Sequence, residues 1–131
     1  MANRAHDWLQ QAQHDLEHAR HAWEAGDYDW ACFAAQQAAE KALKGLFLGL
    51  GGEAWGHALT RLFEDLRQLL AVPQELIHAA KRLDKHYVLT RYPSGFDMGA
   101  PFHYYTSEEG TQAIADAQRI YDFCQQSLHQ A

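Results

Sequence analysis

The chain has 131 residues, enough for one domain, spanning 1–131, with a sizeable core. Its formal net charge of −6 argues against broad, sequence-independent binding of nucleic acid, which needs a basic surface, and leaves room only for a small basic cleft. Its 47% hydrophobic content is rich in Ala and Leu and holds no apolar run long enough to span a membrane, so the expectation is an all-α protein. The polar start Met-Ala-Asn-Arg-Ala-His lacks the apolar stretch of a signal peptide, which points to the cytoplasm.

The first helix is predicted from about Asn3 to Ala25. Trp8, Leu9, Ala12, Leu16, Ala19 and Trp23 recur at the helical period on one stripe. His14, His18 and His21 share the opposite face, within about 60° at roughly 100° per residue. A His pair one turn apart is a possible Zn²⁺ or Ni²⁺ ligand set, but a stripe opposite the apolar one belongs in solvent, so no metal is assigned.

Gly26 and Asp27 mark a turn and a helix start. The second helix runs from Tyr28 to about Leu50 and ends at Gly49, Gly51 and Gly52, making an antiparallel pair with the first. Ala31, Ala35, Ala38 and Ala42 fall on one face and let neighbouring backbones approach closely. Trp30, Phe33, Phe47 and Leu48 fall on the more polar side. Either a second copy of the chain covers them, or this helix is central and has neighbours on both sides.

A third helix follows Gly56-His57, with Leu59, Leu62, Phe63, Leu66, Leu69 and Leu70 as its apolar set. Pro73 suits the first position of a fourth helix, carrying Leu76, Ile77, Ala80, Leu83, Tyr87 and Val88 and stopping before Pro93. Residues 94–105 read as one long irregular stretch. Thr106 and Glu109 form a capping box that opens the fifth helix, with Ala113, Ile114, Ala117, Ile120, Tyr121, Cys124 and Leu128 facing in. The sum is a five-helix, up-and-down antiparallel bundle. Cys32 and Cys124, lacking Cys-x-x-Cys spacing, read as buried free thiols.

Asp84, Tyr87 and Arg91 recur at i, i+3 and i+7, with Tyr92 next in line. An Arg beside tyrosines grips a phosphate while the rings stack on a base. The same spacing also suits an internal brace in which Asp84 pairs with Arg91. Lys81, Arg82, Lys85 and His86 form a local basic patch or a solvated face. His57, at the mouth of the third helix, is placed either as an acid–base group or as a cap.

Three stretches carry a family resemblance: Gly26-Asp27-Tyr28 through Lys44, Gly56-His57-Ala58-Leu59, and Leu83-Asp84-x-x-Tyr87 running into Thr90-Arg91-Tyr92-Pro93. In order and separation they resemble the HEPN domain, a small helical domain of prokaryotes and higher eukaryotes tied to nucleotides and RNA. The resemblance implies a helical bundle that dimerises and a minimal nucleotidyltransferase as partner, often as a toxin–antitoxin module. It also implies no cofactor, since the family's ribonucleases work without metal through an Arg, four to six residues, then a His.

No Arg of this chain has a His at that spacing; Arg82 and His86 are one residue too close. No catalytic pair therefore carries over. What transfers is a surface: Asp84, Tyr87, Arg91, Tyr92, Pro93 and His57, with Glu40 and Lys41 of the second helix. The leading reading is a nucleotide- or RNA-contacting dimeric module, with Trp30, Phe33 and Phe47 at the dimer interface. The rival is a divergent ribonuclease in which Arg91 works with His57, His86 or His103.

Overall fold

The computed structural model describes residues 3–130. Among them there is no strand. The helices are α1 (Ala5–Glu24), α2 (Tyr28–Gly49), α3 (Leu59–Leu66), α4 (Gln74–Asp84), α5 (Pro101–Tyr104) and α6 (Ser107–Gln130), with one 3₁₀ turn at Pro93–Gly95. The predicted five helices are thus present, and a short α5 is added inside the stretch read as irregular.

Both long N-terminal helices end the same way. Gly26 and Gly51 have positive φ of 82° and 86°. After α1, Asp27 N–H donates to the Ala22 carbonyl and Gly26 N–H to that of Trp23. After α2, Gly52 N–H donates to Phe47 and Gly51 N–H to Leu48. Each is a Schellman closure, in which a left-handed glycine lets the chain reverse while the last carbonyls stay bonded. At the start of α6, Thr106 Oγ1 accepts from Glu109 N–H at 3.2 Å and Glu109 Oε1 accepts from Thr106 N–H at 3.1 Å, as the capping box predicts.

α2 is the central helix. It packs against α1 and α6 along its length and also meets α3, α4 and α5. Its alanines at 31, 35, 38, 39 and 42 are fully buried, and Gly45 admits the Trp8 Cβ and the Ala5 carbonyl of α1 at near-contact distance. Gly49, closing α2, lies against Ala5 and Leu128, whereas Gly110, opening α6, lies against Trp23 and Tyr28. α6 therefore runs parallel to α2 and antiparallel to α1.

This centrality answers the alternative left open on α2 for Phe47 alone. Phe47 is 5% exposed and belongs to the chain's own core, so it is withdrawn from the dimer-interface set. Trp30 is half exposed and Phe33 partly so, at the N-terminal half of the same helix. A helix surrounded on several sides buries apolar groups in more than one direction, and face counting alone does not separate core from surface there. Among the described residues, no helix is long and apolar enough to cross a membrane.

Candidate functional site

α3 starts without a side-chain cap of its own, because its N-cap residue is Ala58. Asp84, the last residue of α4, fills that role from outside. Its carboxylate accepts the Leu59 N–H at 2.6 Å, the Thr60 N–H at 3.2 Å and the Thr60 hydroxyl at 2.6 Å. A carboxylate there meets the positive end of the helix dipole. It also fixes the Gly56-His57-Ala58 entry to α3.

His57 is held at three further points. Its carbonyl accepts from Gln36 Nε2 at 3.2 Å. Its Nδ1 lies 3.1 Å from both carboxylate oxygens of Glu40. Its ring stacks on Tyr87, centroids 4.5 Å apart and planes 17° apart. Glu40 is buried and also accepts from Lys44 Nζ at 3.0 Å and from Gln36 Nε2 at 3.2 Å. A proton on Nδ1 shared with Glu40 leaves His57 Nε2 as the accepting nitrogen, and that atom has no partner among the described residues. The His57 side chain is 51% exposed.

Arg91 sits at the other side of the same cluster. Its guanidinium carbon lies 4.4 Å from the Phe33 ring centroid, 4.9 Å from Tyr87 and 5.2 Å from Tyr92. Nε and Nη2 both donate to the Tyr87 carbonyl, which leaves Nη1 without a partner among the described residues. A cation set among three rings is stabilised without being neutralised, so its charge stays available to an anion. Trp30 meets Phe33 edge-on at 6.1 Å and extends the surface.

Residues 5–127 match the HEPN domain family. The chain belongs to that family. It is similar to the crystal structure of TT1696 from Thermus thermophilus, with 50% identity, a TM-score of 0.94 and coverage of 96% of this chain and 99% of that one. It is likewise similar to ST0689, an archaeal HEPN homologue, with 39% identity, a TM-score of 0.83 and coverage of 97% and 99%. A HEPN domain protein of Thermotoga maritima (tm0613) is 35% identical, with a TM-score of 0.80 and coverage of 95% and 99%. A protein of Methanocaldococcus jannaschii named "Putative toxin MJ1304" is 24% identical over 122 residues, covering 86% of this chain and 80% of that protein.

On this HEPN scaffold, His57, Tyr87, Arg91 and Tyr92 come together as one surface, with Phe33 beneath the guanidinium. Asp84 is adjacent, but its carboxylate serves α3 and makes no ion pair with Arg91, so the suggested brace is not formed. The helix ends at Asp84 and residues 85–91 are turns, which removes the i, i+7 register that paired them. Lys41 pairs with Asp15 on the α1 side, away from His57. Lys44, one turn after Glu40, is the lysine that joins the site; the Glu40–Lys44 spacing was its sequence signal. Gln36 was the other residue missed, and its role arises only from the tertiary approach of His57.

Of the basic patch predicted on α4, Arg82 and His86 are drawn into the fold, whereas Lys81 and Lys85 stay exposed. Arg82 grips the fully buried Asp116 with two bonds of 2.8 Å, Arg119 adds one at 2.5 Å and Gln112 one at 3.0 Å. His86 is buried against the Tyr105 hydroxyl at 3.2 Å. Burial pushes the His86 pKa down, Lys85 adds to this, and the nearby carboxylates Glu109 and Asp116 oppose it. Burial likewise pushes the Cys32 thiol up to about 12, helped by Glu109 and Asp29, and raises Cys124 further. His14, His18 and His21 are exposed on α1, and no group of three or more metal-binding side chains gathers among the described residues.

The stretch after Pro93 is more ordered than its composition suggests. Phe96 stacks on Tyr104 at 4.3 Å with 9° between planes, and the Tyr104 hydroxyl donates to the Met98 carbonyl. His103 caps the short α5 by accepting from Ala100 N–H at 3.1 Å.

Proposed function

We propose that this HEPN protein is a dimeric module that contacts a nucleotide or RNA through the Arg91 surface and works with a minimal nucleotidyltransferase in a toxin–antitoxin setting. The observation that carries the reading is the guanidinium of Arg91, lying on Phe33, Tyr87 and Tyr92 with one nitrogen free for an anion. Rings beside a cation suit a base and its phosphate together. The similarity to the relative named "Putative toxin MJ1304" supports the setting. Trp30, half exposed, and Phe33, partly exposed beneath Arg91, are the residues a second copy would cover.

Filter binding of labelled single-stranded RNA tests the contact. Arg91→Ala is expected to weaken binding at least about tenfold in protein that still folds. Equal binding by wild type and variant, or none by either, removes the proposal. Co-expression with a nucleotidyltransferase, followed by co-purification, tests the partner.

One observation favours the ribonuclease alternative. The Glu40–His57 contact orients an exposed imidazole beside Arg91's ring partner Tyr87, an arrangement suited to acid–base work despite the missing sequence spacing. On that reading total RNA is cleaved, and cleavage is lost in His57→Ala and Arg91→Ala. Intact RNA after incubation with well-folded dimer decides against it.

A further inference from the structure

A second aromatic site lies farther along α2. The C-terminal half of α2, the start of α1 and the loop that follows α2 flank an open cleft of about 250 Å³ lined by Trp8, Lys44, Leu48, Glu53, Ala54 and Trp55. Trp55 is 79% exposed, unusual for so large an apolar side chain with no assigned partner. Glu53 is exposed and makes no hydrogen bond or ion pair among the described residues. Lys44 is shared with the first site, since its ammonium rests on Glu40, which also holds His57.

The cleft is smaller than the ~300–1,000 Å³ of sites for drug-sized ligands, so it suits one flat ring system. The exposed indole of Trp55 offers a surface for stacking, and the partly buried Trp8 lines the same cleft. The unpartnered carboxylate at the rim supplies an acceptor and no donor. That combination suits a ring bearing adjacent N–H donors. Guanine presents two, N1–H and the 2-amino group, on one edge; adenine and cytosine offer an amino group alone; uracil offers a single imide N–H between two carbonyls that a carboxylate repels.

Charge does little of the selecting. Lys44 is paired with Glu40, Lys41 with Asp15 and Arg4 with Asp7. Stacking and the carboxylate remain.

We propose that the Trp8–Trp55 cleft is a nucleobase pocket that prefers guanine, held by stacking on the Trp55 indole and by N–H donation to Glu53. This rests on the reading that the protein contacts nucleotides. It adds a second station, so that a strand or nucleotide leaving Arg91 and Tyr87 reaches this cleft past Lys44.

The test is a titration of the full chain, labelled on the tryptophan indole nitrogens, with GMP, AMP, UMP and a short single-stranded RNA containing guanosine. The expected result is movement of the Trp8 and Trp55 N–H signals with GMP, at concentrations at least about tenfold below those needed with UMP. Trp23, whose indole N–H is bonded to the Ser107 carbonyl, serves as the unmoved reference. Trp55→Ala is expected to weaken GMP binding at least about tenfold while Trp55→Phe keeps most of it. Glu53→Gln removes the preference for GMP over UMP. Affinity for GMP changes less than about twofold on raising salt to physiological strength, because the neighbouring cations are already paired.

Signals that move with the RNA alone assign the pocket to a strand; movement with GMP as well assigns it to the base however supplied. Binding that is lost in Arg91→Ala but untouched by Trp55→Ala overturns this pocket and leaves the Arg91 reading standing. No movement at Trp8 or Trp55 with any nucleotide at millimolar concentration overturns it too. Equal response to GMP and UMP overturns the guanine preference.

Discussion

Asp84 and Thr60 are joined by two hydrogen bonds between the end of α4 and the start of α3, with the Thr60 N–H and hydroxyl both donating to Asp84 Oδ2. One carboxylate thereby stands in for the missing N-cap of α3 and fixes the approach of His57. Asp84→Ala is expected to cost about 1–2 kcal/mol, the usual worth of a helix cap. Urea unfolding measures the loss. Asp84→Asn keeps an acceptor and costs less. A null effect of Asp84→Ala would mean that α3 is held by its apolar face alone.

Phe47 and Trp30 lie on one helix and answer to different forces. Phe47→Ala empties core space and is expected to destabilise the protein by about 3 kcal/mol or more without changing how copies associate. Trp30→Ala is expected to change stability by no more than about 1 kcal/mol and to lower the dimer fraction. Sedimentation equilibrium alongside urea unfolding separates the two. Unchanged association in Trp30→Ala would place the interface elsewhere.

His86 ties stability to pH. Its pKa is lower in the fold than in the unfolded chain, because burial disfavours the charged ring. The unfolded chain therefore binds the proton first as pH falls. Stability from this group is fully present above the unfolded pKa of about 6.5 and declines below it. Unfolding midpoints compared above and below that pH read the decline. A His86→Phe variant is expected to flatten the profile over that window, and an unchanged slope would show that other groups cause it.

Cys32 and Cys124 are fully buried, and burial keeps both thiols protonated at neutral pH. Thiolate is the reactive form, so a thiol reagent is expected to leave both unmodified in native protein and to label both in denaturant. Labelling of native protein on the timescale of the free thiol would show local opening of α2 or α6.

The limits of the long helices were legible because their signals are local: Gly26 and Gly51 closing α1 and α2, and Thr106 with Glu109 opening α6. The candidate surface was legible in part. Tyr87, Arg91 and Tyr92 are neighbours in sequence as well as in space, and His57 was picked out by its place before α3. One pairing and one choice of lysine misled. Asp84 and Arg91 looked like partners only while the helix was extended past Asp84, and the turns at 85–91 rotate Arg91 away. Lys41 and Lys44 both flank Glu40, and only the i, i+4 lysine reaches it. Phe47 was misplaced because α2 has neighbours on several sides, which a one-dimensional pattern does not encode.

The parallel run of α2 and α6 has a practical consequence. Ala5, Gly49 and Leu128 meet at one pole of the molecule. The stretch of α2 from Phe33 to Gly49 spans about 24 Å at ~1.5 Å per residue, which sets the Arg91 surface well away from that pole. A peptide tether joined beside Ala5 or beside Leu128, or a short bridge between the two, would hang from the far side and leave the Arg91 surface unobstructed.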